Sequence, residues 1–292
     1  MRASAGVRAE RAGPGDGLPG TRIARLRSEA PLVLQPTRLR LPAAVRHWEN
    51  AAVPGAAVGL VAGAAGPLGG DRLSLDIEVG SGATLMVAAV AGTVVLPGPH
   101  GAQSQSHVTI RVADGGTLVW LPGTQIAAAD CRHSSLTRIR LADGARLWMR
   151  EELILGRHGE LPGDLQQRVR ISYAGAALYD QELAVGPAAE GWAGSAVVGH
   201  RRAIGTVISV DPEACHAADR MPAVPDTAVM AVSEHCLVVS SLAADAVRLR
   251  GQLEAAVAAA FDDAPDDARE VGVDAVPDAP DRGLSPPRQV SV

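Results

Sequence analysis

Lysine is missing from all 292 residues, so every one of the 27 basic side chains is arginine. That absence removes the P-loop nucleotidases, whose lysine grips phosphate. It also removes Schiff-base and pyridoxal-phosphate enzymes, which need a lysine nucleophile. Aromatic residues make up only 2% against 47% hydrophobic residues, so Val, Leu, Ile and Ala must build the core. The three cysteines, Cys131, Cys215 and Cys236, are too few and too irregular for a disulfide framework. They fit a reducing compartment, and a cytoplasmic protein is the expectation. No apolar run is long and charge-free enough to span a bilayer, and the Arg-, Gly- and Pro-containing start does not read as a signal peptide. No basic stripe points to nucleic acid and no Arg-rich amphipathic helix points to a membrane surface.

Catalytic signatures are missing too. There is no H-E-x-x-H, no C-x-x-C and no properly placed G-x-G-x-x-G, and Ser195 after Gly194 lacks the flanking glycines of a nucleophile elbow. Cys215 adjoins His216 and His235 adjoins Cys236, but neighbours on a strand point to opposite faces. The chain is therefore expected not to be an enzyme.

What is present is mostly strand. Leu73, Leu75, Ile77 and Val79 alternate with Arg72, Ser74, Asp76 and Glu78, and residues 107–112 and 168–173 repeat the pattern. A period of two means half-buried strands. Turns at Gly82-Ala83, Gly116-Thr117, Gly144-Ala145 and Gly175-Ala176 recur at steps of about 30 residues, the spacing of stacked β units. The reading is a mainly β fold, layered and solenoid-like, with a few helices, one near the C-terminus. An ordinary meander with glycine turns fits the same spacing. Residues 1–28 read as a mobile arm with a strand near 21–26, residues 29–261 as one β-rich domain, and residues 262–292 as a solvated tail rich in Asp, Ala and Pro. Residues 237–240 read as a buried strand. Ser241 is placed as the cap of a helix running to residue 261, with Ala243, Val247, Leu249, Leu253 and Val257 as its apolar stripe. Residues 186–205 stay undecided between helix and loop.

Candidate ligands are scattered. Cys131 and His133 read as part of a loop in which alternation puts them on one side, as metal ligands or as a buried Cys with a surface His. Glu151-Glu152 and Glu160 place three carboxylates near His158, as a ligand group or a solvated loop. The pair Glu152 and Glu160 also admits general acid–base hydrolysis. Asp71 closes Gly69-Gly70-Asp71, where two glycines allow close backbone approach and the Asp can bond local amides or serve as a ligand.

Four stretches then line up with a known family. They are Pro31-Leu32-Val33-Leu34-Gln35-Pro36; Gly69-Gly70-Asp71-Arg72-Leu73 with the following Gly82-Ala83 strand; Leu118-Val119-Trp120-Leu121-Pro122 and Ile126; and Leu155-Gly156-Arg157-His158-Gly159-Glu160 with Asp180 and Leu183. In order and spacing over residues 31–183 the chain resembles the urease accessory protein UreD, or UreH, with a fainter match in the C-terminal strand and helix. It departs where Thr93-Val94-Val95-Leu96-Pro97-Gly98 replaces a Thr-Lys-aromatic run, and where Ile126-Ala127-Ala128-Ala129 replaces an apolar-Phe-Ala run. The resemblance implies a β-helix-like fold, no catalytic activity, no tightly bound cofactor, and a part in nickel delivery to apo-urease with the partners UreF and UreG. It also implies a polar internal path for a transient nickel ion, for which Asp71, Glu160 and Asp180 are the candidates and Cys131 and His133 weaker ones. A β-solenoid interaction module without a metal role is the alternative.

Overall fold

Alternation of apolar and polar residues across short glycine turns lets the chain coil rather than fold back. The computed structural model describes residues 1–13, 20–38, 40–50, 54–213 and 224–261. Numbering the strands along the chain, a seven-stranded sheet holds β1 (Arg2–Arg11), β2 (Thr21–Arg27), β5 (Arg72–Val79), β8 (Ser104–Val112), β11 (Arg132–Leu141), β13 (Asp164–Tyr173) and β14 (Ala176–Val185). A second sheet holds β3 (Leu32–Thr37), β4 (Ala56–Ala62), β6 (Thr84–Ala89), β9 (Thr117–Leu121), β12 (Arg146–Leu155), β15 (Ala203–Val210), β16 (Thr227–Ser233) and β17 (Cys236–Ala243). The short strands β7 (Thr93–Val95) and β10 (Thr124–Ala127) form a ledge beside β12. Strands β1, β5, β8, β11 and β13 stack in parallel, as do β4, β6, β9 and β12. The result is a β-solenoid of about 4 turns.

The register explains the core. On the first sheet Ile77, Ile110, Ile139 and Ile171 face one another strand by strand, all buried. Branched side chains in such a ladder pack closely on the pleat. Opposite them Val87, Trp120, Met149 and Ile208 form the matching row. Small residues serve where coils turn. Gly82, Gly115 and Gly144 take positive φ, and each turn amide donates one coil onward, Gly82 N–H to Asp114 O and Gly115 N–H to Asp143 O. The second of these turns hinges on Gly115, not Gly116, which is buried where a Cβ would meet Val112 and Gly80.

Three expectations need correction. Residues 2–11 are no mobile arm: β1 pairs with β2 and β5, and Ala5, Val7 and Ala9 are fully buried. Their small buried side chains hide the alternation. The expected strand at 21–26 is β2. The C-terminal helix, α1 (Ala246–Phe261), starts later than Ser241. Ser241 stays in β17, and Asp245 caps the helix by accepting from the Arg248 amide at 2.9 Å. Leu249, Leu253 and Val257 are buried as expected, but Val247 is 81% exposed. Residues 187–200 are consecutive turns and bends before β15. The tail at 262–292 and Cys215 lie outside the described residues.

Candidate functional site

On β8, β11, β13, β12, β15 and β17 the apolar inward face is interrupted by one polar layer. Ser106, Ser135 and Gln167 follow one another in register on the first sheet, while Glu151, Thr206 and Ser240 do so on the second. This polar belt lies between two apolar clusters, one around Ile110 and Ile139 and the other around Leu153, Leu155 and Leu165. Two cavities open along it, of about 180 Å³ and about 250 Å³. Glu151 and Gln167 line both. The Gln167 amide donates to the Glu151 carboxylate at 2.5 Å, so this pair forms the partition. Trp120 borders the first cavity, and its buried indole N–H has no partner among the described residues.

Glu151 and Glu152 are neighbours on β12 with opposite fates. Glu152, 4% exposed, accepts from Thr124 at 2.7 Å and from Arg250 of α1 at 3.0 Å, with Arg150 at 3.2 Å. Glu151 faces the lumen and receives only Gln167. Burial pushes its carboxyl up to about 7, and the Gln167 hydrogen bond offsets only part of that. Tyr179 nearby is raised to about 12, by burial first and then by the charge of Glu151.

The other candidates stand apart, each already occupied. Asp71 is 4% exposed; it accepts from the Met1 ammonium at 2.8 Å and the Leu68 amide at 2.9 Å. Burial raises its carboxyl, but these two donors outweigh burial and hold it below the ordinary value. By fixing Leu68 it shapes the loop whose Gly66 and Pro67 wall the first cavity. Glu160 is chelated by Arg157 (2.8 and 2.9 Å), which lowers it to about 2. Asp180 takes both Arg168 (2.8 Å) and Arg170 (2.9 Å) on the outer face and also falls to about 2.

His133 is not at the surface. It is 1% exposed, bonded through Nδ1 to Ser104 at 2.8 Å, and burial lowers it to about 4, so its ring is neutral. Cys131 is buried, its thiol pushed up to about 11 by burial first and then by the charge of Asp164. Among the described residues no group of three His, Cys, Asp or Glu is placed to hold a metal ion together. Glu152 and Glu160 share no partner, being held by Arg250 and Arg157 respectively.

The UreD urease accessory protein family model matches residues 2–270. The chain belongs to the UreD family. Similar proteins include urease accessory protein UreD 3 of Streptomyces griseus, 40% identical over 263 residues that cover 88% of this chain and 96% of that protein. UreD of Streptomyces avermitilis is 40% identical, covering 87% of this chain and 98% of its own. UreD of Frankia alni is 40% identical with 87% and 92% covered. The UreD resemblance read from residues 31–183 is thus correct and extends to β1 and α1. The UreD-like stretches are architectural in this chain. Residues 32–36 make up most of β3, and residues 118–121 belong to β9 with Trp120 on the cavity. Residues 155–160 form the loop after β12, whose carbonyls at Leu155, Arg157 and Glu160 all accept from Arg202.

Proposed function

We propose that this chain serves urease maturation as a nickel-delivery chaperone, a scaffold and ion passage between apo-urease and the accessory proteins UreF and UreG, with no catalysis of its own. The observation that carries the reading is the polar belt inside the solenoid, with Glu151 where the two cavities meet. Ni²⁺ accepts carboxylate, imidazole and water ligands. A passage must admit the ion yet release it, which favours single carboxylates, hydroxyls and amides over a closed four-ligand cage. Glu151 fits that requirement, since its charge is not already answered by an arginine. Asp71 belongs to the same reading as the residue that orders the cavity wall; Glu160 and Asp180 would enter only by releasing their arginines.

The test is urease maturation with Glu151→Leu. Urease co-expressed with the wild-type chain should be loaded with nickel; the variant should still co-purify with UreF and UreG while urease nickel content falls. Full nickel loading with a folded Glu151→Leu chain would sink the passage and leave the interaction module.

A further inference from the structure

The outer face of the first sheet carries an arrangement that sheets ordinarily avoid. Three pairs of arginines sit directly opposite each other in register: Arg8 with Arg25, Arg111 with Arg140, and Arg138 with Arg170. Like charges on facing strand positions are destabilising, and neighbouring strands are only about 4.8 Å apart. Few carboxylates answer them. Glu10 takes Arg8 at 2.8 Å, Glu78 is shared by Arg8 (3.7 Å), Arg25 (4.0 Å) and Arg111 (3.8 Å), and Asp180 takes Arg170. Arg138 and Arg140 are exposed and have no ion-pair partner among the described residues. Beside them a groove of about 430 Å³ runs along the coil turns, edged by Arg8, Arg111 and Arg140 with Glu78 among them. Its floor is turn backbone whose amides at Ala113 and Ala142 are spent on the neighbouring coil, which leaves Arg140, without an ion pair among the described residues, as its free charged donor. All this lies on a chain whose formal net charge is -5.

We infer that this arginine-paired face and its groove dock an acidic segment of a partner protein. Guanidinium groups bind carboxylates in bidentate fashion, and an occupant bearing several carboxylates would relieve the three like-charged pairs at once. Nucleic acid fits less well. Among the described residues of these rows no aromatic side chain stands where bases could stack. The inference concerns the outer face and does not depend on the interior passage.

Fluorescence anisotropy with the full chain and a labelled Asp/Glu-rich peptide tests it. Binding should be present and salt-sensitive. Arg138→Glu with Arg140→Glu should weaken it on the order of tenfold or more, with the thermal midpoint near wild type. Arg248→Glu on α1 should leave binding close to wild type, since Arg248 lies outside this sheet. Arg138→Gln with Arg140→Gln, a milder change, should weaken binding without reversing charge. No peptide binding, an equal loss from Arg248→Glu, or tighter binding of a single-stranded oligonucleotide of matched charge would each overturn the assignment.

Discussion

His133 is buried and Glu151 is half-buried inside the solenoid, and the effects of the two on stability run in opposite directions. The Glu151 carboxyl rises from 4.5 to about 7 on folding. The folded chain therefore holds a proton that the unfolded chain has already released, and stability falls as pH climbs between those values. His133 drops from 6.5 to about 4. Here the unfolded chain takes the proton first, so stability is full above 6.5 and is lost as pH falls toward 4. The two slopes oppose each other in the shared window. We expect Glu151→Gln to be more stable than wild type above pH 7, with the gap closing toward pH 4.5; urea unfolding across that range measures it. His133→Asn should remove the loss between pH 6.5 and 4, leaving the further acid loss below about 4.5 to the arginine-held carboxylates Glu160 and Asp180. A Glu151→Gln variant with an unchanged pH profile would show that this carboxyl is not buried in the charged state. Glu151 was also readable in outline: Leu147, Met149, Leu153 and Leu155 share its face of β12, and a carboxylate in such a row is out of place. What the sequence hides is that Arg250, nearly a hundred positions away, answers Glu152 and not Glu151.

Elements carry the next set of consequences. Gly69 and Gly98 press backbone to backbone, the loop before β5 against the turn after β7, and a Cβ on either would collide with the other's main chain. The close approach suggested by Gly69-Gly70 is real and belongs to Gly69, whose φ needs no glycine. Gly69→Ala should destabilise by about 2–3 kcal/mol, measured by denaturant midpoint, and Gly98→Ala should do the same; near-wild-type stability in both would mean that the two segments move apart freely. At α1, Asp245→Ala removes a cap and should cost about 1 kcal/mol, while Ser241→Ala should act instead on the β16–β17 pairing through its bond to Thr227 at 2.7 Å. This difference shows what is legible locally. Strands β5, β8 and β13 announce themselves because apolar and polar residues alternate. Strand β1 does not, because its buried positions are alanines, glycine and valine, and only pairing with β5 identifies it. Helix α1 was placed by its stripe, but its start depends on which polar residue leaves the sheet first.

At the scale of the whole molecule, the coil spacing was visible and the handling of the ends was not. Strands β5, β8 and β11 are paired in parallel on both sides, whereas β2 and β16 are at sheet edges. Amide exchange should be slowest in β8 and β11 and fastest in β2, β16 and residues 187–200. Uniform protection across these segments would count against coils that add stability neighbour by neighbour. Every terminal strand, β2, β14, β3 and β16, runs antiparallel to the strand it covers. A stack of identical parallel coils is in principle a polymer, since each new coil presents the same template to the next. Reversing the last strand at both ends makes the template unreadable to another coil of the same sense. The molecule is therefore a fibre segment with its growth stopped, and its length is written into the four strands that turn back.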